Sequence, residues 1–266
     1  KQLIKRLSGE HKLVCLVRKV PGNSYNKNIL FIAGDLEEIV SIEKSFENCE
    51  LIIHLARSRE NPGLEVLFMK NLLTLAKKSC VKKIVFFSSL AANRKLRDEY
   101  GKTKQLCEHM LINSGLNYTI LKPGFIYDYE GLPLFLKPLR VAPLFIPIIG
   151  DGNYKFGPVY LWDLVNFVLD VIKSDKSDKK IYELGSENTL SFDAIIDLIR
   201  KEKKIKKMKL HLPISLSLLL NKIFRYASDE AIMSIGENSN YDISLAKKDF
   251  RFNPINFEDA LKNIKL

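Results

Sequence analysis

The chain has 266 residues, 46% of them hydrophobic and 27% charged, enough to bury one sizeable core with a small second lobe and to argue against disorder. The 42 basic residues outweigh 31 acidic ones for a formal charge of +11, but the densest basic run, residues 200–209 (RKEKKIKKMK), reads as a solvated helix end and loop rather than a polyanion or lipid patch, so no nucleic-acid partner is expected. No uninterrupted apolar run reaches the ~18 residues that argue for a membrane span. The nearest stretch, 132–149, is broken by Lys137, Arg140 and prolines and reads as a loop or lid. Cys15, Cys49, Cys80 and Cys107 are scattered among apolar residues without metal-ligand spacing; they read as buried free thiols and fit a reducing cytoplasm.

Residues 1–7 carry Leu3, Ile4 and Leu7 on one helical face. Strand-like runs follow at 13–17, 29–32, 51–55, 84–87 and 118–121, separated by helical patterns at 39–46, 64–79 and 100–113. That alternation predicts an α/β fold, a doubly wound parallel sheet, and the almost purely apolar Ile84-Val-Phe-Phe87 suits a sheet covered on both faces. A chain that opens with a helix leading into a strand implies a strand before it, because a helix normally follows a strand in right-handed βαβ units. The expected fold is therefore Rossmann-like with its first strand missing. No G-x-x-G-x-x-G pattern occurs in the sequence, so the turn that brings backbone amides to a pyrophosphate is missing too. The opening Lys1 favours reading the sequence as a fragment, one that binds dinucleotide weakly. Beyond residue 122 the pattern changes to a proline- and glycine-rich stretch, then to helices at 161–173, 192–203 and 214–225 with one short strand at 181–184. This divides the chain into a dinucleotide-binding domain, 1–124, and a small C-terminal substrate lobe, 125–266, with some elements returning to the first domain.

Tyr100-Gly-Lys-Thr-Lys104 places a phenol and an ammonium four residues apart, on one face of a helix. A lysine beside a tyrosine favours the phenolate and so brings it nearer to acid–base work. Spacing alone is weak: roughly one such pair is expected by chance in this composition, and Tyr118 with Lys122 is a second. Context singles out the first pair, which follows the buried strand ending in Ser88-Ser89 and precedes the strand leading to Lys122-Pro-Gly124.

In that order the sequence resembles the extended and atypical short-chain dehydrogenase/reductase families. Cys15-Leu-Val-Arg18, Gly34-Asp-Leu36, Ile53-His-Leu-Ala56, the 81–89 run, the Tyr100/Lys104 pair, Lys122-Pro-Gly124, Val159-Tyr-Leu-Trp-Asp163, Tyr182-Glu-Leu-Gly185 and the 249–254 run carry the resemblance. It implies that Tyr100 is the proton donor or acceptor and that Lys104 holds the nicotinamide ribose. It places Asp35 and Leu36 beside the adenine, Ala56 at the ribose, and Pro123, Gly124 and Phe125 at the nicotinamide. Arg18 stands where NAD-preferring members often carry an acid, which favours NADP over NAD; a solvated strand-end arginine is the alternative. The resemblance implies an NAD(P)-dependent oxidoreductase or nucleotide-sugar epimerase/dehydratase acting on a small molecule, with a homodimer as the family's usual assembly.

The match is incomplete. Leu90 occupies the position where sugar epimerases carry a serine or threonine; Ser89 either substitutes for it, or with Ser88 satisfies backbone groups at the strand end. The segment between Leu90 and Tyr100 is short, as in atypical members resembling the cofactor-binding accessory subunit of respiratory complex I and the NmrA-like regulators. The alternative function is therefore a non-catalytic NAD(P)-binding assembly or sensor protein. His54 reads as structural, and His11, His109 and His211 lack partners at metal spacing, so no metal site is expected. Asp163 either caps the helix it opens or anchors the substrate lobe. Phe125, Tyr127, Lys155 and Tyr160 are candidates to line a substrate pocket.

Overall fold

The computed structural model describes residues 1–22, 26–58, 61–95, 97–128, 139, 142–224, 232–233, 241–262 and 264. Two compact units emerge, each assembled from three segments of chain: Lys1–Ser88, Thr103–Leu121 and Val165–Ile181 in the first, and Ser89–Lys102, Lys122–Leu164 and Tyr182–Leu266 in the second.

The first unit opens with helix α1 (Gln2–Leu7), strands β1 (Leu13–Val17) and β2 (Ile29–Ala33), and the short helix α2 (Ile39–Ile42), which a 3-10 turn extends through Phe46. Strand β3 (Leu51–His54), helix α3 (Gly63–Lys78) and strand β4 (Lys83–Phe87) follow, and helix α4 (Glu99–Ile112) leads into β5 (Tyr118–Pro123). β1 and β2 pair in parallel, as do β3 with β4 and β4 with β5. This is the doubly wound α/β fold, and its sheet is split: β2-β1 is one sheet and β3-β4-β5-β10 (β10, Lys180–Leu184) another. The dinucleotide-binding order 3-2-1-4-5-6 puts its first strand mid-sheet. The split falls where that strand would stand, and no strand among the described residues bridges it.

A shared core holds the two sheets of the first unit. α3 turns Met69, Leu72, Leu73, Leu75 and Ala76 inward, where they meet Ile42, Phe46, Ile84, Phe86, Leu111 and Ile120. Glu65 in its first turn and Lys77 and Lys78 in its last suit the helix dipole.

The second unit contains β6 (Phe125–Tyr127), β7 (Phe145–Ile149), β8 (Lys155–Phe156), β9 (Pro158–Tyr160), the start of helix α5 (Leu161–Ile172), β11 (Leu190–Ser191), α6 (Phe192–Glu202), β12 (Met208–Leu212), α7 (Ile214–Phe224), α8 (Ser244–Phe250) and α9 (Phe257–Leu261). β6 pairs with β9, β7 with β12 and β8 with β11. Its core gathers Tyr127, Ile146, Ile148, Tyr160, Ile195, Ile196, Ile199 and Phe257.

Several expectations are corrected here. Residues 145–149, read as part of a lid, form β7, because alternate side chains Ile146 and Ile148 are fully buried while their backbone pairs with β12. Residues 132–138, 140 and 141 of that stretch lie outside the described residues. The lysine run is only partly solvated. Lys203 donates to Ile264 O and Lys207 to Leu139 O and Ala142 O, while Lys209 pairs with Asp193 at 2.5 Å and Asp197 at 2.7 Å. Cys107 is buried, Cys15 and Cys49 are partly buried, and Cys80 is exposed. No described helix is long and apolar enough to cross a membrane.

Candidate cofactor site

In parallel strands all carboxyl ends fall on one edge, where doubly wound folds bind their ligands. The register pairs Val17 with Ala33 at the end of β1 and β2, and Gly34 N donates to Val17 O at 3.1 Å, bringing the segments that carry Arg18 and Asp35 together. Arg18 is exposed. A side chain at position 34 would press on Leu16 and Ile42 at 3.0 Å and Ser41 O at 3.1 Å, so glycine permits the close turn. Asp35 shapes that turn: its Oδ1 accepts from Glu37 N at 3.1 Å, and its backbone N–H and carbonyl are both bonded to Ser41 Oγ at 3.1 Å. Leu36 packs partly against the core, and its carbonyl accepts from Asn71 Nδ2 of α3 at 2.7 Å. Ala56, two residues past the end of β3, is partly buried.

At the end of β3 and β4 lies a buried polar cluster, all within the first unit. The Lys104 ammonium, on α4, stands 2.9 Å from Glu65 Oε2, with the two side chains only 5% and 2% exposed. It also donates to Phe87 O at 3.3 Å and lies 5.2 Å from the centre of the Phe86 ring. The approach to Glu65 is close but poorly directed, and neither carboxylate oxygen accepts a well-formed hydrogen bond. His54 stacks on Phe86 with ring centres 5.6 Å apart; burial first, and the Lys104 charge second, lower its pKa to about 3, so it is neutral. Ser88 Oγ donates to Glu108. Burial pushes the Cys107 thiol up to about 12, and Cys107 Sγ contacts Glu65 O at 3.5 Å.

The remaining candidates belong to the second unit. Ser89 Oγ accepts from Ala91 N at 3.2 Å and caps the 3-10 turn Leu90–Asn93, in which Leu90 is buried. Tyr100 is partly buried in the first turn of α4; Lys104 follows one helical turn later on the same helix. Between them Gly101 admits a neighbouring backbone, since a Cβ there would meet Ala91 O at 2.7 Å. Gly124 is more constrained: a Cβ would lie 2.0 Å from Gly157 O, while Gly124 N donates to Leu184 O at 2.8 Å. Pro123 is buried, and Phe125, opposite Pro158, packs partly on the core. Of the other candidate pocket residues, Tyr127 and Tyr160 are core residues and Lys155 is exposed. Asp163 lies within α5 and anchors: its carboxylate accepts from Ile255 N at 2.8 Å.

Sequence reasoning passed over three residues. Glu65 reads as a helix-start acid, and nothing local signals its burial. Glu183 holds the Leu90–Asn93 turn through Asn93 Nδ2 at 2.5 Å and accepts from Asp242 N at 2.7 Å. The Tyr241 ring fills the space that side chains at Gly157 and Gly185 would occupy, and its hydroxyl donates to Ser186 O at 2.7 Å. The two late motifs do meet, with Tyr182 OH donating to Asp249 at 2.8 Å. No cluster of metal-binding side chains occurs among the described residues.

A family model described as NAD(P)H-binding matches residues 1–134. The chain is 21% identical over 221 residues to a mitochondrial NADH dehydrogenase [ubiquinone] 1 alpha subcomplex subunit 9 of Dictyostelium discoideum, covering 80% of this chain and 59% of that protein. It is 23% identical over 206 residues to the photosystem II assembly factor Ycf39 of Synechocystis sp., covering 72% and 60%. The chain thus spans about three-fifths of these relatives. Among solved structures, a UDP-glucose 4-epimerase of Thermotoga maritima superposes with a TM-score of 0.75 at 20% identity, over 98% of this chain and 92% of that one. A nucleoside-diphosphate-sugar epimerase of Staphylococcus aureus gives 0.77 at 16% identity, over 98% and 94%. A UDP-glucuronic acid 4-epimerase of Bacillus cereus, solved with UDP-glucuronic acid and NAD, gives 0.74 at 18% identity, over 98% and 93%.

Proposed function

Because the chain belongs to the NAD(P)H-binding family, with the extended short-chain dehydrogenase/reductase fold, we propose that it holds a nicotinamide dinucleotide without turning it over and serves in the assembly of a multi-subunit complex. The observation that carries this reading is the burial of the Lys104 ammonium 2.9 Å from the Glu65 carboxylate. A Tyr–Lys pair works when the ammonium reaches the ribose and its charge favours the neighbouring phenolate. An ammonium buried 2.9 Å from a carboxylate is withdrawn from the first task and largely neutralised for the second. Ser89, engaged as a turn cap, and Leu90 beside it leave no hydroxyl committed to a substrate. Two relatives are by name a subunit of an NADH dehydrogenase and an assembly factor for photosystem II, which supports a role within a larger complex.

In this reading Arg18, Asp35 and Leu36 receive the adenosine end, with Arg18 favouring the 2′-phosphate of NADP, and Ala56 borders the ribose. Pro123, Gly124 and Phe125 form the expected nicotinamide end. The bound dinucleotide would supply hydride chemistry; the chain's own residues bind and orient it.

A second reading, turnover as a reductase or nucleotide-sugar epimerase, is favoured by Tyr100 and Lys104 standing one turn apart on α4. There Tyr100 handles the proton of a substrate hydroxyl, and Lys104 must leave Glu65. The test is to assay purified protein with NADPH and NADH against carbonyl compounds and UDP-sugars. The expected result is dinucleotide bound weakly, since the sequence carries no glycine-rich turn for the pyrophosphate, and no conversion. Conversion that disappears in Tyr100→Phe overturns the proposal in favour of the second reading.

A further inference from the structure

Helix α7 is turned the wrong way for a helix in water. Its most buried residues are Ser217 and Asn221, four apart and 0% and 6% exposed, with Leu218 and Leu220 partly buried beside them, while Leu216, Leu219 and Ile223 are 40%, 57% and 69% exposed. An amphipathic surface helix normally places its apolar stripe against the core. Here the spacing of Leu216, Leu219 and Ile223 puts the stripe on the outer face, flanked by exposed Lys222.

The strand leading into α7 continues the pattern. Exposure alternates from residue 203 to 210, with Lys204, Lys206, Met208 and Leu210 outward. Met208 stands opposite Phe145 in the β7–β12 ladder, and Leu144, Phe145 and Leu210 are exposed too. The two surfaces join at Pro213, where Ile214 lies 3.8 Å from the position of a Cβ on Gly150, just past the end of β7. Residues 203–224 contain six lysines and no acidic residue. The strand's inward cations, Lys207 and Lys209, are bonded to the protein, whereas Lys204, Lys206 and Lys222 are exposed beside the apolar side chains.

We propose that the outer face of α7 with the β7–β12 edge docks on an anionic lipid bilayer surface. Exposed apolar side chains spread over a helix and a strand, fringed by lysines and with no carboxylate in the segment, match an interface where leucines enter the acyl boundary and ammonium groups meet phosphates. The absence of acidic residues selects a negatively charged surface, and the flanking lysine stems extend from the apolar face toward headgroups. This inference stands apart from the cofactor reading, which survives its failure.

The test is co-sedimentation of the whole chain with vesicles of phosphatidylcholine alone and of phosphatidylcholine mixed with phosphatidylglycerol. Binding is expected only to the mixed vesicles and weakens with added salt. Lys204→Gln and Lys206→Gln should each reduce affinity about five-fold, and Leu219→Ser with Ile223→Ser about ten-fold or more, with unfolding temperature unchanged because the side chains are exposed. No binding to mixed vesicles, or binding equally strong in the Leu219→Ser/Ile223→Ser variant, overturns the proposal. So does lipid-independent self-association that this variant abolishes, which would make the face a contact between two copies of the chain.

Discussion

The two parallel sheets of the first unit are built from similar apolar strands, yet they are buried very differently. In β4 and β5, Ile84, Val85, Ile120 and Leu121 are fully buried, whereas in β1 and β2 Val14 is 46% and Leu30 57% exposed. Helices α3 and α4 pack on the first pair of strands through Ile84, Phe86 and Ile120, the cover that parallel sheets require. The second pair stands as a two-stranded ribbon, separated from the larger sheet where a central strand belongs. An apolar strand sequence therefore announces a sheet; the neighbours it pairs with decide how much water it sheds.

The largest effects should come from the better-covered sheet. Ile120→Ala in β5 should destabilise the fold by about 2–5 kcal/mol, while Leu30→Ala in β2 should cost under about 0.5 kcal/mol; urea unfolding of both variants checks the contrast. Equal losses would mean that the ribbon is as well packed as the sheet. Glu65→Ala, which removes the carboxylate 2.9 Å from the buried Lys104 ammonium, should cost about 3–5 kcal/mol. Removing the exposed Glu50–Lys82 pair, whose side chains are 73% and 74% exposed, should leave stability nearly unchanged.

The same cluster sets a pH dependence. Folded His54 has a pKa lowered to about 3 from 6.5, so the unfolded chain binds a proton that the folded one refuses. The stability this contributes is complete above about pH 6.5 and declines as pH falls toward 3. Thermal unfolding between pH 7 and 5 (roughly the range above most carboxylate titration) should show a decline that His54→Gln flattens. The smallest perturbation is chemical: exposed Cys80 should react with a thiol reagent in the native state, while Cys107, buried with its pKa near 12, should react only on unfolding.

Much of this architecture was legible in the sequence because its signals are local. Strands β1 to β5, α3 and α4 follow from runs of β-branched and apolar residues separated by helical periodicity. The split sheet follows from a helix that precedes the first strand. β8, β9 and β11 were not legible, being two or three residues long and fixed by partners distant in sequence. β7 was hidden by Pro147, which stands opposite Leu210 in the β12 ladder. At the site, the Tyr100/Lys104 spacing was visible, but the partner of Lys104 was not: Glu65 lies in an ordinary-looking helix start 39 residues earlier, and only packing of α3 near α4 reveals it. Gly124 was readable as a motif residue; the carbonyl of Gly157 that makes glycine necessary was not.

A crystal structure of the protein with NADPH bound distinguishes a Lys104 held by Glu65 from one that serves the cofactor. The Lys104 ammonium is expected to remain within ion-pair distance of the Glu65 carboxylate, with the dinucleotide in place. An ammonium swung away from Glu65 onto the nicotinamide ribose hydroxyls would contradict this and restore Tyr100 and Lys104 as a working pair.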